Sequence, residues 1–519
     1  MMLSNIRCLK IPSCLRCQRF SNSYSCILNL KHLSPALILS VVLVYTVLLF
    51  AITFYTSRNA DNQSYFVGNR SSRWYVVAYG MIGASLSGVT FMSVPGDVGT
   101  GGFSYFQMVL GYLLGYAVIA FVLLPVYYRM NLTSIYVYLK SRLGEKTYKT
   151  GAFFFILSRV VGASFRMYIV VYVLQLFIFQ AWGVPFWVTV LVFVLLILAY
   201  TFKGGVKTIV WTDSLQTTFM LLSLLISVYL IAKELNFSFA DVLSSIKSSP
   251  YSDIFVWDWK SKVFFPKHFF GGMFIAIAMT GLDQEMMQKN ISCRNVGESQ
   301  KNMMTFSIIL VFVNFIFLCL GALLYIFIQH QGIVIPERTT DDLFPTIAMH
   351  YLGTFSAICF IIGLISAAYP SADGALTALT ASVCIDFLGF EEGKYNEIQK
   401  TRIRKSVHII FGFVLLGVIV LFHAINDQAV IRQIFRAANY TYGPLLGLFA
   451  FGILTRRNVI DKAVPVIGIL SPVICYIIDI NSVQWLGGYK FGNELIILNG
   501  GITFMGLLLL TKHKTATQV

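Results

Sequence analysis

The chain has 519 residues, of which 57% are hydrophobic and only 12% are charged, a composition that excludes a soluble globular protein. Its formal net charge of +16 does not indicate a nucleic-acid-binding protein, because the Lys and Arg residues lie in short loops between apolar runs. Many of those runs reach the roughly 20 residues that a membrane-spanning helix needs. The sequence therefore predicts an all-α, polytopic membrane protein.

Residues 1–32 form a polar N-terminal extension that is rich in Ser and Cys. The extension lacks the continuous apolar core of a signal peptide, so we expect it to be disordered or to precede a true start of translation near Leu30. Cys14 and Cys17 form a C-x-x-C motif, but no second pair follows at zinc-binding spacing, which argues against a metal site there. The remaining cysteines are scattered, and no disulfide framework is predicted.

Apolar runs separated by polar breaks predict about thirteen membrane-spanning helices in a single transmembrane domain, residues 33–512, before a cytoplasmic tail, residues 513–519. The predicted spans are 34–56, 74–98, 103–129, 150–180, 184–202, 206–235, 267–288, 302–330, 353–387, 403–424, 428–455, 462–480 and 495–512. Lys and Arg are concentrated in every second loop, beginning with the loop after the first span. Because cytoplasmic loops carry this excess, we expect the N-terminus outside and the C-terminus inside a plasma membrane, or the inner membrane of a bacterium.

Glycines interrupt two of the predicted spans. Gly80, Gly83 and Gly88 lie in the second span, and Gly271–Gly272 and Gly281 lie in the seventh. Interrupted helices five spans apart are typical of transporters with two inverted five-helix repeats, which here would cover about residues 74–235 and 267–455. The alternative is that the glycines only allow close helix packing.

Four charged residues stand out inside predicted spans, where a charge usually pairs or lines a cavity. Arg159 and Arg166 lie two turns apart on one face of the fourth span. Asp213 lies near the start of the sixth span, and Asp373 lies inside the ninth. Each aspartate could form a structural salt bridge to one of the arginines. With Ser371 and Thr377 nearby, Asp373 instead offers the oxygen ligands that a hard cation prefers.

Three segments resemble motifs of the sodium/solute symporter family. Residues 204–216 resemble its G-G-x5-W-T-D-x-x-Q signature, and residues 367–386 resemble its A-A-x-x-S-T-x-D-S helix. Residues 281–289 resemble its G-x-N-Q-x3-Q-R helix end, with Asp283 in place of Asn and Lys289 in place of Arg. The resemblance implies a leucine-transporter-like inverted-repeat fold and sodium-coupled transport, with sialic acid carriers as the nearest subgroup.

The resemblance also implies where sodium binds. The main site would use backbone carbonyls of Gly83, Leu86 and Ala367 and the hydroxyl of Ser371. The family normally places two adjacent hydroxyls here, whereas this chain has Pro370 at the first position, which puts one ligand in doubt. A second cation would lie at Asp213, Asp373 and Ser371.

A substrate site beside the sodium ions is implied in the same way. Its predicted residues are Ser85, Ser87, Thr90, Phe103, Gln107, Arg159, Met279 and Thr280. Sugar-carrying relatives have aromatic residues where Met279 and Thr280 stand, so a stacked neutral sugar is disfavoured. Arg159 corresponds to a residue that meets the substrate carboxylate in sialic acid carriers, and a guanidinium can form two parallel bonds to a carboxylate. An organic anion such as sialic acid is therefore the expected solute.

The sequence contains no nucleophile–base pair, phosphate-binding loop or metal-ligand cluster, which argues against an enzyme and against an ATP-driven pump. We expect a sodium-coupled symporter that imports a small polar solute by alternating access. The alternatives are a sodium-coupled symporter of a neutral sugar or amino acid, and an ion channel. The expected partners are the solute, one or two sodium ions and the lipid bilayer, without nucleic acid or an obligate protein partner.

Overall fold

The structure, a computed structural model, describes residues 34–56, 70–333, 340–425 and 429–511. The predictions for the N-terminal extension and the C-terminal tail lie outside these residues. The described residues are almost entirely helical and form no β-strand, only the isolated bridges Ser72–Cys293 and Val459–Thr511. Eight helices in this part of the chain are long and apolar enough to cross a membrane, and three shorter apolar helices accompany them. The predicted all-α membrane architecture is confirmed, whereas the predicted count of thirteen is not established by helix length and composition.

Nineteen α-helices follow one another along the described chain. They are α1 Pro35–Thr56, α2 Trp74–Ser85, α3 Gly88–Gly101, α4 Tyr105–Val118, α5 Leu124–Arg129, α6 Val137–Arg142, α7 Glu145–Leu174, α8 Phe186–Glu234, α9 Phe239–Ser248, α10 Phe265–Ala276, α11 Gln284–Ile291, α12 Val296–Gln331, α13 Leu343–His350, α14 Gly353–Ser382, α15 Glu397–Ile425, α16 Val430–Thr441, α17 Gly443–Leu454, α18 Val464–Trp485 and α19 Leu495–Leu509.

Helix α8 joins two predicted spans. Spans 184–202 and 206–235 were expected to be separated by a loop, but the helix runs from Phe186 to Glu234. Its apolar segments Phe186–Thr201 and Thr208–Glu234 correspond to the two predicted spans. The polar residues between them interrupt the apolar pattern, and this pattern alone does not show whether the backbone stops being helical.

The second predicted span is broken in its middle. Helix α2 ends at Ser85, Leu86 has φ −86° and ψ 77°, and Ser87 is extended, with φ −71° and ψ 176°. Helix α3 then begins at Gly88 and continues through Pro95 and Gly96, which were expected at its end, as far as Gly101. The backbone groups around Leu86 and Ser87 are therefore released from regular helical bonding, as expected for a discontinuous helix.

The seventh predicted span has a corresponding break. After α10, a π-helical turn covers Ile277–Gly281, and Asp283 is extended, with φ −101° and ψ 125°, before α11 begins. Gly281 thus lies directly at the break, as predicted. Gly271 and Gly272 do not, because both lie inside the regular helix α10. They serve helix packing instead: a Cβ on Gly272 would lie 2.2 Å from the carbonyl oxygen of Met108 in α4.

Helix α14 lies at the centre of the fold. It packs against α2, α3, α7 and α8, and every residue from Gly363 to Ser382 is buried. Asp373 and Ser371 are part of this stretch, so the helix carries polar oxygens into the interior, next to the first discontinuous helix.

The close approach of α10 to α4 can be tested by adding one methyl group. Gly272→Ala forces a Cβ against backbone, so we expect the free energy of unfolding in detergent micelles to fall by about 1–3 kcal/mol. Gly162→Ala is the control, since nothing lies within 4 Å of its new Cβ; removing a helix-interior glycine there should raise stability by about 0.5–1 kcal/mol. Equal stability of the two variants would contradict this packing.

Candidate functional site

A cavity lies between the two helix breaks. Its volume is about 90 Å³, and its wall combines hydroxyl groups, aromatic rings and two guanidinium groups. The lining residues are Ala84, Ser85, Leu86, Ser87, Val89, Thr90, Tyr105, Tyr112, Tyr116, Arg159, Arg166, Ile275, Ala276, Met279, Thr280, Met286, Leu310, Asn314, Ile431, Ile434 and Phe435. A cavity with several converging polar groups is the expected form of a small-molecule site.

Six of the eight predicted substrate residues line this cavity. Ser85, Ser87 and Thr90 come from the first break, and Met279 and Thr280 come from the turn before the second. Arg159 reaches the cavity from α7. The structure therefore brings these side chains together, although their contact with a solute remains a prediction.

Phe103 and Gln107 are not among the residues that line the cavity, in contrast to the prediction. Gln107 donates hydrogen bonds to the carbonyl oxygens of Ser104 and Val263, at 3.1 and 2.9 Å, and accepts one from the Val256 amide at 3.2 Å. Phe103 packs edge-on against Phe315, with ring centroids 6.0 Å apart. Both side chains thus contact neighbouring segments of the protein.

Sequence reasoning missed the aromatic wall of the cavity. Tyr105, Tyr112 and Tyr116 follow one another at spacings of seven and four residues, which places them on one face of α4. Phe435 and the amide of Asn314 complete this side. The helical spacing of the tyrosines was visible in the sequence, but such a stripe is also typical of ordinary core packing.

The two arginines of α7 have different surroundings. Arg159 is 3% exposed and its guanidinium contacts the carboxylates of Glu285 and, at 3.5 Å, Asp283. Arg166 is partly exposed, lines the same cavity, and forms no salt bridge or hydrogen bond with any residue that the structure describes. Of the two guanidinium groups at the cavity, Arg166 is therefore the one without an ion-pair partner among the described residues, and the contact of Arg159 with a solute stays a prediction.

Arg159 belongs to a buried charge network that consists of Asp213, Lys289, Glu285, Arg159 and Asp283. The Lys289 ammonium lies 2.7 Å from Asp213 Oδ2 and 3.2 Å from Glu285 Oε1. The other carboxylate oxygen of Glu285 pairs with the Arg159 guanidinium. All five residues are at most 3% exposed. Asp213 forms a structural salt bridge, as one interpretation of the sequence had it, but its partner is Lys289 and not an arginine.

Asp283 closes the network at the second break. One carboxylate oxygen accepts hydrogen bonds from the Glu285 and Met286 amides, which caps the N-terminus of α11. The other accepts a 2.9 Å bond from the Tyr442 hydroxyl, at the junction of α16 and α17. The replacement of Asn by Asp noted in the sequence therefore keeps the cap and adds a negative charge beside Arg159.

Buried oxygens gather on α14 where the main sodium site was predicted. Ser371 Oγ, Thr377 Oγ1 and Asp373 Oδ1 are buried and have no hydrogen-bond partner among the described residues. Asp373 Oδ2 accepts a 2.8 Å bond from the Tyr200 hydroxyl. Orphan oxygens are costly in a protein interior unless they bind something, and oxygen ligands are those that a hard cation prefers.

Pro370 changes this site in two ways. It supplies no hydroxyl, as the sequence already indicated. In the helix it also lacks the N–H that would bond to the carbonyl of Ser366, four residues earlier. That carbonyl is therefore released one turn from Ser371, and a backbone oxygen becomes available where a side-chain oxygen is missing.

Comparison with known proteins identifies the family to which this chain belongs. The model of the sodium:solute symporter family matches residues 65–463, more than three quarters of the chain. The chain belongs to the sodium:solute symporter family. It is a multi-pass membrane protein and a sodium-coupled symporter, and sodium is its coupling ion.

Two relatives within this family match most of the chain. The sodium/sialic acid symporter of Aliivibrio fischeri is 23% identical over 87% of this chain and 89% of its own length. The sodium/sialic acid symporter of Proteus mirabilis is 21% identical over 81% of this chain and 84% of its own. A solved structure of a sodium-coupled sialic acid symporter, bound to substrate and outward-open, has a TM-score of 0.78 at 18% identity and covers 92% of this chain and 98% of its own. That structure supports the fold of this symporter.

The double role of Asp283 can be separated by two substitutions. Asp283→Asn keeps the oxygen that caps α11, and its NH2 group can donate to the Tyr442 hydroxyl oxygen in place of the bond that the carboxylate accepts. We therefore expect the free energy of unfolding to change by no more than about 1 kcal/mol. Asp283→Ala removes the cap and leaves the Tyr442 hydroxyl unsatisfied, which should cost about 2–4 kcal/mol in micelle unfolding followed by circular dichroism. Ser238→Ala, which removes only the N-cap of the exposed helix α9, measures a cap alone at about 1 kcal/mol. If the Asn and Ala variants lose equal stability, the cap has no part in the effect.

Proposed function

We propose that this symporter imports a small organic anion that also carries hydroxyl groups, with sialic acid as the first candidate. The observation that carries the proposal is Arg166, a guanidinium that faces the cavity without a carboxylate partner among the described residues. An unpaired charge in a membrane interior is expensive, and a bidentate carboxylate is the ligand that a guanidinium matches best. The two sodium/sialic acid symporters among the relatives support the same class of solute.

The remaining polar groups of the cavity fit a solute rich in hydroxyl groups. Ser85, Ser87, Thr90 and Thr280 offer donors and acceptors at the two breaks, and Asn314 adds an amide. The tyrosines of α4 offer aromatic faces against which the apolar face of a sugar ring can lie. Arg159 is placed next to Arg166 by the buried charge network and adds positive potential to the cavity.

Sodium would bind beside the first break, at the carbonyls of Gly83, Leu86 and Ala367 and the hydroxyl of Ser371. Helix α14 brings Ser371 and the free Oδ1 of Asp373 into the interior where it packs on α2. The released carbonyl of Ser366 compensates for the hydroxyl that Pro370 lacks. An ion held by both α2 and α14 links the broken helix to the rest of the protein, which is how sodium binding would favour one conformation.

Transport would proceed by alternating access. The repeats of about residues 74–235 and 267–455 would rock around the cavity, with the N-terminus outside and the C-terminus in the cytoplasm, as the Lys and Arg of the loops favour. The orphan oxygens and the cavity belong to binding and not to bond-breaking chemistry, so the protein would act as a carrier and not as an enzyme.

The sodium gradient supplies enough free energy for uphill import. A tenfold gradient is worth about 1.4 kcal/mol, and one charge crossing 100 mV adds about 2.3 kcal/mol. One sodium ion entering with a neutral solute thus sustains a roughly 500-fold accumulation. A solute with one negative charge cancels the electrical part of one sodium ion, so symport of one sodium with one such anion retains only the tenfold chemical part.

Replacing sodium by choline should reduce uptake of radiolabelled N-acetylneuraminate into proteoliposomes to the level of empty liposomes. Ser371→Ala removes one proposed ion ligand, so we expect the sodium concentration at half-maximal uptake to rise about tenfold, or about 1.4 kcal/mol. Ser356→Ala is the control, because this buried serine lies on the same helix as Ser371, about 22 Å from it along the helix axis. Uptake that continues in choline, or an equal sodium shift in both variants, would contradict the proposed site.

Arg166→Ala should raise the KM for N-acetylneuraminate about 10- to 100-fold, since it removes a charge-assisted hydrogen bond worth about 1.5–3 kcal/mol. Arg166→Lys should recover only part of this affinity, because an ammonium cannot form the bidentate pair. Arg159→Ala should instead reduce the yield of folded protein, since it leaves Glu285 and Asp283 without their cation. An unchanged KM in Arg166→Ala would contradict the proposed contact between Arg166 and the solute carboxylate. If only neutral sugars or amino acids compete with N-acetylneuraminate for uptake, the alternative solute class would be favoured.

A further inference from the structure

The sequence places a second cation site at Asp213, but the structure places a lysine there. Lys289 Nζ lies 2.7 Å from Asp213 Oδ2, and the side chains are 3% and 0% exposed. The two residues come from different parts of the fold, Asp213 from α8 and Lys289 from α11, after the second break. This contact is therefore made by the packing of the helices around the site and not by neighbours in the chain.

Asp213 faces the helix that leads to the first break. A Cβ on Gly80 in α2 would lie 3.2 Å from Asp213 Cβ, and three residues later the Gly83 amide donates a 3.0 Å hydrogen bond to Thr217 of α8. Asp213 thus lies one turn before the segment that carries the predicted sodium ligands Gly83 and Leu86. A cation bound beside Asp213 would consequently lie close enough to the first break to influence its conformation.

Lys289 is held firmly in this position. On its other side the ammonium contacts Glu285 at 3.2 Å, and Glu285 is in turn paired with Arg159 at the wall of the cavity. Glu285 also packs tightly on α14, since a Cβ on Gly374 would lie 2.2 Å from its Oε1. An ammonium fixed between two carboxylates compensates the charge of Asp213 and occupies the space that a second ion would need.

We propose that the Lys289 ammonium takes the place of a second coupling cation, so that this symporter binds one sodium ion in each cycle. The inference rests on the proposed sodium site at the first break and specifies its stoichiometry. The positive charge beside Asp213 belongs to the Lys289 side chain and cannot dissociate. It therefore stabilises the fold around the first break at every sodium concentration. Asp373 remains close to the single sodium ion, with a free carboxylate oxygen.

The test is equilibrium binding of radioactive sodium (22Na⁺) to the purified full-length protein in detergent. The wild type should saturate at one ion for each protein molecule. Lys289→Ala vacates the position beside Asp213 and should bind two ions, and its uptake should depend on sodium with a Hill coefficient near 2 in place of 1. Lys289→Arg keeps the cation and should bind one.

Two further variants serve as controls. Asp213→Asn combined with Lys289→Ala removes the charge that would attract the second ion, so this double variant should return to one ion. Lys267→Ala also removes a buried lysine, but the Lys267 ammonium donates to the carbonyl oxygens of Ser261 and Lys490, lies over the ring of Tyr489 and forms no salt bridge to a carboxylate of the described residues. Sodium binding should therefore stay at one ion.

The outcomes separate this inference from the proposed function. Two ions on the wild type, or one ion on folded Lys289→Ala, would overturn the role of Lys289 and leave sodium coupling in place. Absence of sodium binding to the wild type would overturn the proposed sodium site itself, and the inference with it. If Lys289→Ala does not fold, the wild-type and Lys289→Arg stoichiometries still decide: two ions on either protein would overturn the inference.

Discussion

The buried charge network is the constraint on which the rest of this symporter depends. Removing a charge from water costs several kcal/mol, so each member must find a partner inside the protein. Lys289 joins α11 to α8 through Asp213, and Glu285 and Asp283 join α11 to α7 through Arg159. Tyr442 adds the junction of α16 and α17. A single set of ion pairs therefore fixes the relative position of the helices around the cavity.

Among the described residues, two charged groups lie outside the ion pairs of this network, and the proposed binding sites for the solute and for sodium are built on them. Arg166 is excluded from the ion pairs and faces the cavity. Asp373 has only the Tyr200 hydroxyl for one oxygen and no partner among the described residues for the other. An anion and a cation are the ligands that would satisfy them. The two proposed ligands carry opposite charges, so binding of one would favour binding of the other, which is a physical basis for coupling.

A tethered ammonium in place of a second sodium ion has an energetic consequence. With one sodium and one monovalent anion, the translocated charges cancel, and the membrane potential contributes no net work to import. Accumulation would then follow the sodium concentration gradient alone. The maximum accumulation of solute would be smaller than with two sodium ions. The fixed charge provides structural stability at low sodium in exchange, because Asp213 is compensated whether or not an ion is bound.

The sequence by itself determined the membrane class, the family and the two broken helices. Hydrophobic length and composition report the solvent around each helix, and two of the glycines that marked the interrupted spans, Gly88 and Gly281, lie next to the breaks. Tertiary structure alone decided the roles of the charged residues. Asp213 and Lys289 are 76 residues apart and Arg159 and Asp283 are 124 apart. No local pattern could therefore show that, within the described part of the chain, Arg159 forms ion pairs and Arg166 does not. Periodicity reveals which face of a helix is buried, whereas the partner of a buried charge depends on which other helix is packed against that face.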